Sequence, residues 1–413
     1  ELAFTPDHHL GWTAEYMKQR DTSPGLLAAA PPTRPMATPF EGVEEERRTF
    51  HALRWRGALG PVQLSADVST GRSVGSTTRS FPTIETTDYR QQQAQLRYAL
   101  DVGSHAVLVG AGRTVDDLAI SITSQRTERS NDHVLVQDEW RIGAGFKLLA
   151  GLRHDRFNDF GSVNTPRVAL SWTQGPWTVR LGHGEAFRAP SVLEQYSRFF
   201  RGRFLIVGDP NLKPEENVTD EIALAWNGRQ GSAELTVFDS RVDNLIQAVT
   251  RPREPSDPAS VTSRSQYANV AKARIKGAEL QGRWRLTESF TAQWGVDFLD
   301  ATDATTGARL TQRARWLGRL GARYDFGPVA AEVRTRQYRG YWNADPAIRG
   351  SAPFATSYGT VDLRLDWKAA PGLTLAAGID NLGDRRQPVN WSNTGATMDP
   401  PARFFYLSGR YLF

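Results

Sequence analysis

Between residues 188 and 204 four arginines, Arg188, Arg198, Arg201 and Arg203, are interleaved with Tyr196, Phe199, Phe200 and Phe204. Guanidinium groups are planar, permanently charged donors suited to carboxylate, phosphate or catecholate oxygens, and aromatic faces stack on flat rings. Together these residues are candidates for holding an anionic metal chelate; a blander reading has the arginines contacting other loops. Tyr338, Arg339, Tyr341 and Trp342 form a second aromatic and basic cluster, and Arg385, Arg386 and Trp391 a third. The candidate ligand contacts are Arg188, Tyr196, Arg198, Phe199, Arg201, Arg203, Tyr338, Tyr341, Trp342 and Trp391.

Other chemistry finds less support. The 413 residues include no cysteine, which excludes a disulfide framework, a thiol nucleophile and a zinc–thiolate site. "GRSVG" (71–75) matches a nucleophile-elbow pattern, but that motif works only where a strand turns sharply into a helix, and a chance match is expected. His8 and His9 are adjacent, so on a strand they face opposite ways and do not suggest a shared metal site. Asp300 and Asp303 in "LDATDATTG" hint only weakly at a loop calcium. No catalytic residue, metal site or cofactor is assigned. Fifty basic residues stand against 45 acidic ones, and they are spread along the chain; nucleic-acid binding needs a localised patch and is not expected.

The elements that position these residues are read from period-two alternation. In "VDLRLDWKA", Val361, Leu363, Leu365 and Trp367 share one face while Asp362, Arg364, Asp366 and Lys368 share the other. "ALRWRGAL", "AELQGRWRL" and "AAEVRTRQY" repeat the pattern. A soluble β-sandwich also alternates, but its dry core does not accept so many facing arginines. No stretch approaches the roughly 20 consecutive apolar residues of a membrane helix, and the mean hydropathy is −0.47.

Tight turns are expected at 59–62, 101–104, 142–146, 174–177, 227–232, 286–289, 326–329 and 369–373, with mostly longer polar connections near 21–43, 76–86, 121–131, 159–164, 189–215, 250–264, 303–312, 343–357 and 385–400. Short and long connections alternate strictly. That regularity predicts an all-β fold, an antiparallel up-and-down transmembrane β-barrel with about 18 strands, turns on one rim and long loops on the other. Tryptophans such as Trp12, Trp55, Trp140, Trp177, Trp284, Trp316 and Trp367 are expected in part to form interfacial girdles. The terminal "FFYLSGRYLF" is similar to the closing strand of bacterial outer-membrane proteins.

The arginine-rich segment then becomes a long loop between the strands "WTVRLGHGEAF" and "NVTDEIALAW", with Pro190, Pro210 and Pro214 directing its two ends. Its boxes "FRAPS" (187–191) and "DPNLKPE" (209–215) resemble the mid-barrel region of TonB-dependent outer-membrane receptors. "VQDEWRIGAGFKLLAGLRHD" (136–155), "NTPRVALSW" (164–172), "NVAKARIKGAELQGRW" (269–284) and "GIDNLGDRRQ" (378–387) match in order, so the resemblance covers about residues 132–413. The family's N-terminal plug and the segment grasped by TonB are not recognisable here. Plugged transporters of this class have 22 strands, so the resemblance implies one barrel domain over 1–413, with the plug and about four first strands elsewhere or removed; a smaller plugless barrel is the rival explanation.

The resemblance implies a multi-pass protein of the Gram-negative outer membrane, not an enzyme, that takes up a scarce nutrient as a monomer. A metal chelate such as a ferric siderophore is the leading cargo, with TonB acting through the plug and outer-membrane lipid and lipopolysaccharide as surroundings; the blander reading of the loop arginines has them meeting lipopolysaccharide phosphates or other loops. Cobalamin, haem, nickel chelates and oligosaccharides remain alternatives, as does a passive channel or adhesin; an outer-membrane hydrolase is more distant. For haem, a histidine between the boxes is implied, and only His183, before the first box, is nearby.

Overall fold

A computed structural model describes residues 2–5, 7–23, 42–78, 84–121, 126–201, 204–310, 313–343, 354–385 and 403–412. The strands before the first box are β1 (Leu2–Thr5), β2 (His8–Ser23), β3 (Gly42–Leu59), β4 (Val62–Thr78), β5 (Ile84–Val102), β6 (His105–Ile120), β7 (Thr127–Gly143), β8 (Phe146–Phe157), β9 (Gly161–Gln174) and β10 (Trp177–Arg188). A one-turn helix α1 (Val192–Tyr196) and the short strands β11 (Arg198–Arg201) and β12 (Phe204–Val207) follow. The remainder comprises β13 (Glu215–Asn227), β14 (Gly231–Arg251), β15 (Ser263–Arg285), β16 (Phe290–Asp303), β17 (Trp316–Asp325), β18 (Val329–Asn343), β19 (Phe354–Ala370), β20 (Leu373–Asp380) and β21 (Phe404–Tyr411). Of the 21 strands among the described residues, β1, β11 and β12 have four residues each, which leaves eighteen longer ones, in keeping with the expected number.

Two compact units are distinguished: Glu1–Val168 with Gly184–Asn217 and Val242–Ala271, and Ala169–His183 with Val218–Arg241 and Lys272–Phe413. In the first, β1 through β8 pair antiparallel with their sequence neighbours. In the second, β15 through β21 do the same. All eight expected tight turns lie between consecutive strands. One expected long connection is corrected: 159–164 is only the three-residue turn 158–160, because "GSVNTPRV" already runs as β9. Much of the other long connections, including 24–41 and 386–402, falls outside the described residues.

Alternation separates two chemically distinct faces in each unit. On β19, Leu365 and Trp367 are 53% and 50% exposed, whereas on the opposite face Arg364 pairs with Asp366, Arg336 with Asp362 and Arg323 with Asp366. In the first unit Trp12, Leu53, Val68 and Leu96 are exposed on one face, and Arg54–Asp67 and Arg48–Glu46 are paired on the other. An apolar face left open on strand after strand is unfavourable against water at roughly 25 cal/mol per Å²; against acyl chains it is not. Trp177, Trp284 and Trp367 are exposed near the turn ends of their strands, where a girdle is expected. Strand β15, with 23 residues, is more than twice the roughly 9–11 that cross a bilayer, so it carries its outer end well beyond the membrane.

Candidate functional site

The loop from Arg188 to Glu215 buries Pro190, Gln195, Leu205 and Leu212, and Asp257 and Arg264 are buried in the neighbouring 252–264 segment. Local sequence explains the loop's start. Pro190 presets extended backbone, and "SVLE" is a capping box: the Ser191 hydroxyl accepts from the Glu194 amide, and the Glu194 carboxylate accepts from the Ser191 amide at 2.7 Å.

Arg188, last residue of β10, joins the two boxes. It donates in bidentate fashion to Glu215, at 2.7 Å from Nε and 2.6 Å from Nη2, and to Glu194 at 3.0 and 3.1 Å. Glu215 also accepts from the Ile246 amide at 2.8 Å. Burial pushes the Glu194 carboxyl up, but the Arg188 guanidinium and the Ser191 amide and hydroxyl outweigh it, and its pKa lies below the ordinary value. A second arginine, Arg129 near the start of β7, clamps the first box from the side. Its Nη1 donates to the Pro190 carbonyl at 2.7 Å, its Nη2 to Gln195 Oε1 and its Nε to Asp159 at 2.7 Å.

The start of the second box is closed on α1 and its C-cap by backbone bonds. The Gly208 amide donates to the Ser197 carbonyl at 2.7 Å and the Asp209 amide to the Glu194 carbonyl at 2.9 Å. A Cβ at Gly208 would lie 2.5 Å from the Gln195 carbonyl, which excludes any larger residue. Asp209 Oδ1 accepts from the Asn211 amide, and Asn269 Oδ1 accepts from the Lys213 amide at 2.8 Å.

Between the boxes β11 and β12 form a hairpin, and β12 adds parallel to β15, Phe204 opposite Ser263 and Val207 opposite Gln266. This ties the loop to the 252–262 connection. There the buried Asp257 accepts from Arg264 at 3.0 Å and from the Glu254 amide at 2.9 Å, and Arg198 reaches to 3.7 Å of it from a half-exposed position. The Glu254 amide is the main cause that holds the Asp257 carboxyl below its ordinary pKa; burial opposes it and Arg264 assists.

Among the expected ligand contacts, then, Arg188 stands in the clamp, Tyr196 ends α1 half-buried, and Arg198 and Phe199 are consecutive on β11 and so face opposite ways. Arg201 closes β11 by its backbone; its side chain and the whole of Arg203 lie outside the described residues. Tyr338 and Tyr341 belong to the second unit. Tyr338 stacks on Tyr358 at 4.5 Å, and Tyr341 meets the same ring edge-on at 6.1 Å. A register shift between them, with Gly340 at φ +60, turns both toward Tyr358. Trp342 pairs with Ala355 through its backbone, and its side chain, like Arg386 and Trp391, is outside the described residues.

The remaining motifs resolve into local structure. "GRSVG" lies inside β4, where the Ser73 hydroxyl donates to Glu46. His183 lies 2.7 Å from Asp220, which also accepts from Arg241 at 2.8 Å. Asp303 accepts from the Thr305 and Thr306 amides, closing a turn. Sequence reasoning missed Arg129 and Asn269. Asn269 opens one of the matched segments, which was a signal; Arg129 had none.

The family model for the TonB dependent receptor-like beta-barrel matches residues 2–382. The chain belongs to the TonB-dependent receptors. As a member of this family it is a multi-pass protein of the Gram-negative outer membrane, and its strands are those of the family's β-barrel. It is 26% identical over 314 residues to the iron-regulated outer membrane virulence protein of Vibrio cholerae, covering 72% of this chain and 48% of that protein. It is 28% identical over 297 residues to the vitamin B12 transporter BtuB of the same species, covering 69% and 43%. This receptor chain thus spans about half the length of those relatives. Among solved structures, the ferric enterobactin receptor PfeA of Pseudomonas aeruginosa superposes with a TM-score of 0.82 at 17% identity, covering 99% of this chain and 68% of that one. The siderophore receptor PirA of the same organism gives 0.74 at 18%, with the same coverage. At those identities the likeness shows the fold.

Proposed function

We propose that this chain is the barrel domain, over residues 1–413, of a receptor that takes up an anionic ferric siderophore with energy delivered through TonB. The unit boundary falls inside five continuous strands, β9, β10, β13, β14 and β15, which supports one barrel domain. One observation carries the ligand reading. The Arg188 and Arg129 clamps fix both ends of a loop whose middle presents Arg198 and Phe199 and continues through Arg201 and Arg203. In this reading Arg188 holds the platform, and Tyr196, Arg198, Phe199, Arg201 and Arg203 contact the ligand; Tyr338, Tyr341, Trp342 and Trp391 are proposed separately, as ligand contacts of the second unit. Similarity to an iron-regulated outer membrane protein and to a ferric enterobactin receptor supports iron as the cargo. The receptor acts as a monomer, surrounded by membrane lipid and lipopolysaccharide.

The test is accumulation of radiolabelled ferric siderophores in cells expressing the receptor, with and without TonB. TonB-dependent accumulation supports the reading. Uptake unaffected by TonB, together with a steadily open pore in single-channel recordings, would overturn it.

A further inference from the structure

The charged face of the second unit carries a cavity of about 870 Å³ that no sequence motif marks. Five arginines and a single glutamate line it, together with side-chain amides, glycines and Tyr338. Register sets the arginines in two adjoining rows. Arg283, Gln293, Gly321 and Arg334 stand across from one another in the first, and Gln281, Gly295, Arg319 and Arg336 in the second. Directly opposed residues share a face, so both rows point the same way as Asp362, which stands opposite Arg334. The glycines let long side chains lie along the wall: a Cβ at Gly295 would come within 3.1 Å of Arg319 Nε, and one at Gly321 within 2.7 Å of Gln293 Nε2.

The arginines are anchored without being used up. Arg180 donates to Glu234 at 2.6 Å, Arg319 to Asp297 at 2.7 and 2.8 Å, and Arg336 to Asp362 at 3.0 Å, in each case through Nη2 alone. A guanidinium has five N–H donors in a fixed fork, so Nε and Nη1 of these half-exposed side chains keep donors for a further partner. Arg283 is exposed, and its guanidinium has no hydrogen bond or ion pair among the described residues.

Small-molecule sites enclose roughly 300–1,000 Å³ and fix a ligand by a few convergent polar groups. The convergent groups here are cationic donors, which select anionic oxygens. At the outer end Tyr338, stacked on Tyr358, adds an aromatic wall, and at the inner end the cavity reaches Thr178 and Asn227 beside the turn ends of β10 and β13.

We infer that this cavity is a second binding site for an anionic metal chelate, in which Arg283, Arg319 and Arg336 donate to the ligand's oxygens and Tyr338 faces a flat ring. The inference deepens the uptake reading and rests on it.

Arg283→Gln is the sharpest variant, because no native partner is lost with the charge, and heat-modifiable migration checks that it folds. In cells expressing the full receptor, capture of a radiolabelled ferric tris-catecholate siderophore in the absence of TonB is expected to keep its affinity. TonB-dependent accumulation is expected to fall about tenfold, the loss of one charge-assisted hydrogen bond, and Arg283→Lys, which keeps the charge, to recover most of it. Unchanged accumulation in Arg283→Gln, or an equal loss of capture, overturns the second site. So does a steadily open pore in single-channel recordings of the variant, which would assign this face to a protein segment held in place by Arg283. If the unaltered receptor itself accumulates no chelate with TonB present, the uptake reading falls and the site falls with it; normal accumulation in both receptors sinks the site alone.

Discussion

Asn269 holds Lys213 from both sides: its side-chain oxygen accepts from the Lys213 amide at 2.8 Å, and its side-chain nitrogen donates to the Lys213 carbonyl at 2.9 Å. The same nitrogen donates to the carbonyl of Asn244, itself at φ +58, at 2.7 Å. Three segments far apart in sequence meet at one amide side chain. Replacing it by alanine leaves backbone groups without partners, a loss of about 1–3 kcal/mol in loop stability. Asn269→Ala is expected to speed hydrogen exchange over 209–215 while heat-modifiable migration of the barrel stays normal; unchanged exchange would refute the anchoring role.

Arg188 addresses two carboxylates at once, which a point charge does not reproduce. Arg188→Lys is therefore expected to loosen the loop almost as much as Arg188→Ala, by about 1–2 kcal/mol, the half-exposed guanidinium being partly screened by water. Proteolysis rates between the boxes measure it, and rescue by lysine would contradict the bidentate clamp.

The loop carries its own pH dependence. The folded pKa of Glu194 lies below its ordinary 4.5 and that of Asp257 below 3.8. A depressed carboxyl stabilises the fold fully above its unfolded value, and that contribution is lost as pH falls through the folded value. Protection from hydrogen exchange over 191–197, corrected for the intrinsic exchange rate at each pH, is expected to be flat from pH 7 to about 5 and to fall on further acidification. Glu194→Gln should remove most of that acid response, and an identical profile in the variant would exclude Glu194 as its source.

Ligand affinity should depend on arginines that the clamps leave available. Arg201→Ala with Arg203→Ala is expected to weaken an anionic ferric chelate by about tenfold or more, each charge-assisted hydrogen bond contributing roughly 1.5–3 kcal/mol at most. Arg198→Ala should also weaken binding without unfolding the loop, since Asp257 keeps Arg264. Isothermal titration decides; affinity in both variants equal to that of the unaltered receptor would remove this loop from the site.

The exposed apolar face makes a stability prediction. Leu365→Arg places a charge among acyl chains and should cost about 2–4 kcal/mol if the position lies near the bilayer midplane. Urea titration of the receptor folded into lipid vesicles measures it. A neutral outcome would count against a lipid-facing Leu365.

Strand identity was legible because it is local. The alternation in "VDLRLDWKA" assigns both faces of β19 without any knowledge of its neighbours, since a pleated chain reverses its side chains at every residue. The turns were legible for a similar reason, as glycine, proline and asparagine mark them within two or three residues. The 158–160 turn was misjudged because "GSVNTPRV" is polar enough to pass for loop, and its pairing as β9 depends on tertiary context. The boxes "FRAPS" and "DPNLKPE" were visible as motifs, but their arginine, Arg188, read as a ligand contact, because its glutamate partners are fixed only by the fold.

By itself the sequence determined a transmembrane sheet with one greasy and one charged face, and a stiff, basic loop between two proline boxes. Only the tertiary structure decided what each arginine does. Arg188 meets a glutamate 27 residues away and Arg129 a glutamine 66 residues away, and no periodicity encodes partners so distant. Direct electrostatic contact is set by which strands become neighbours, and that is a property of the folded sheet.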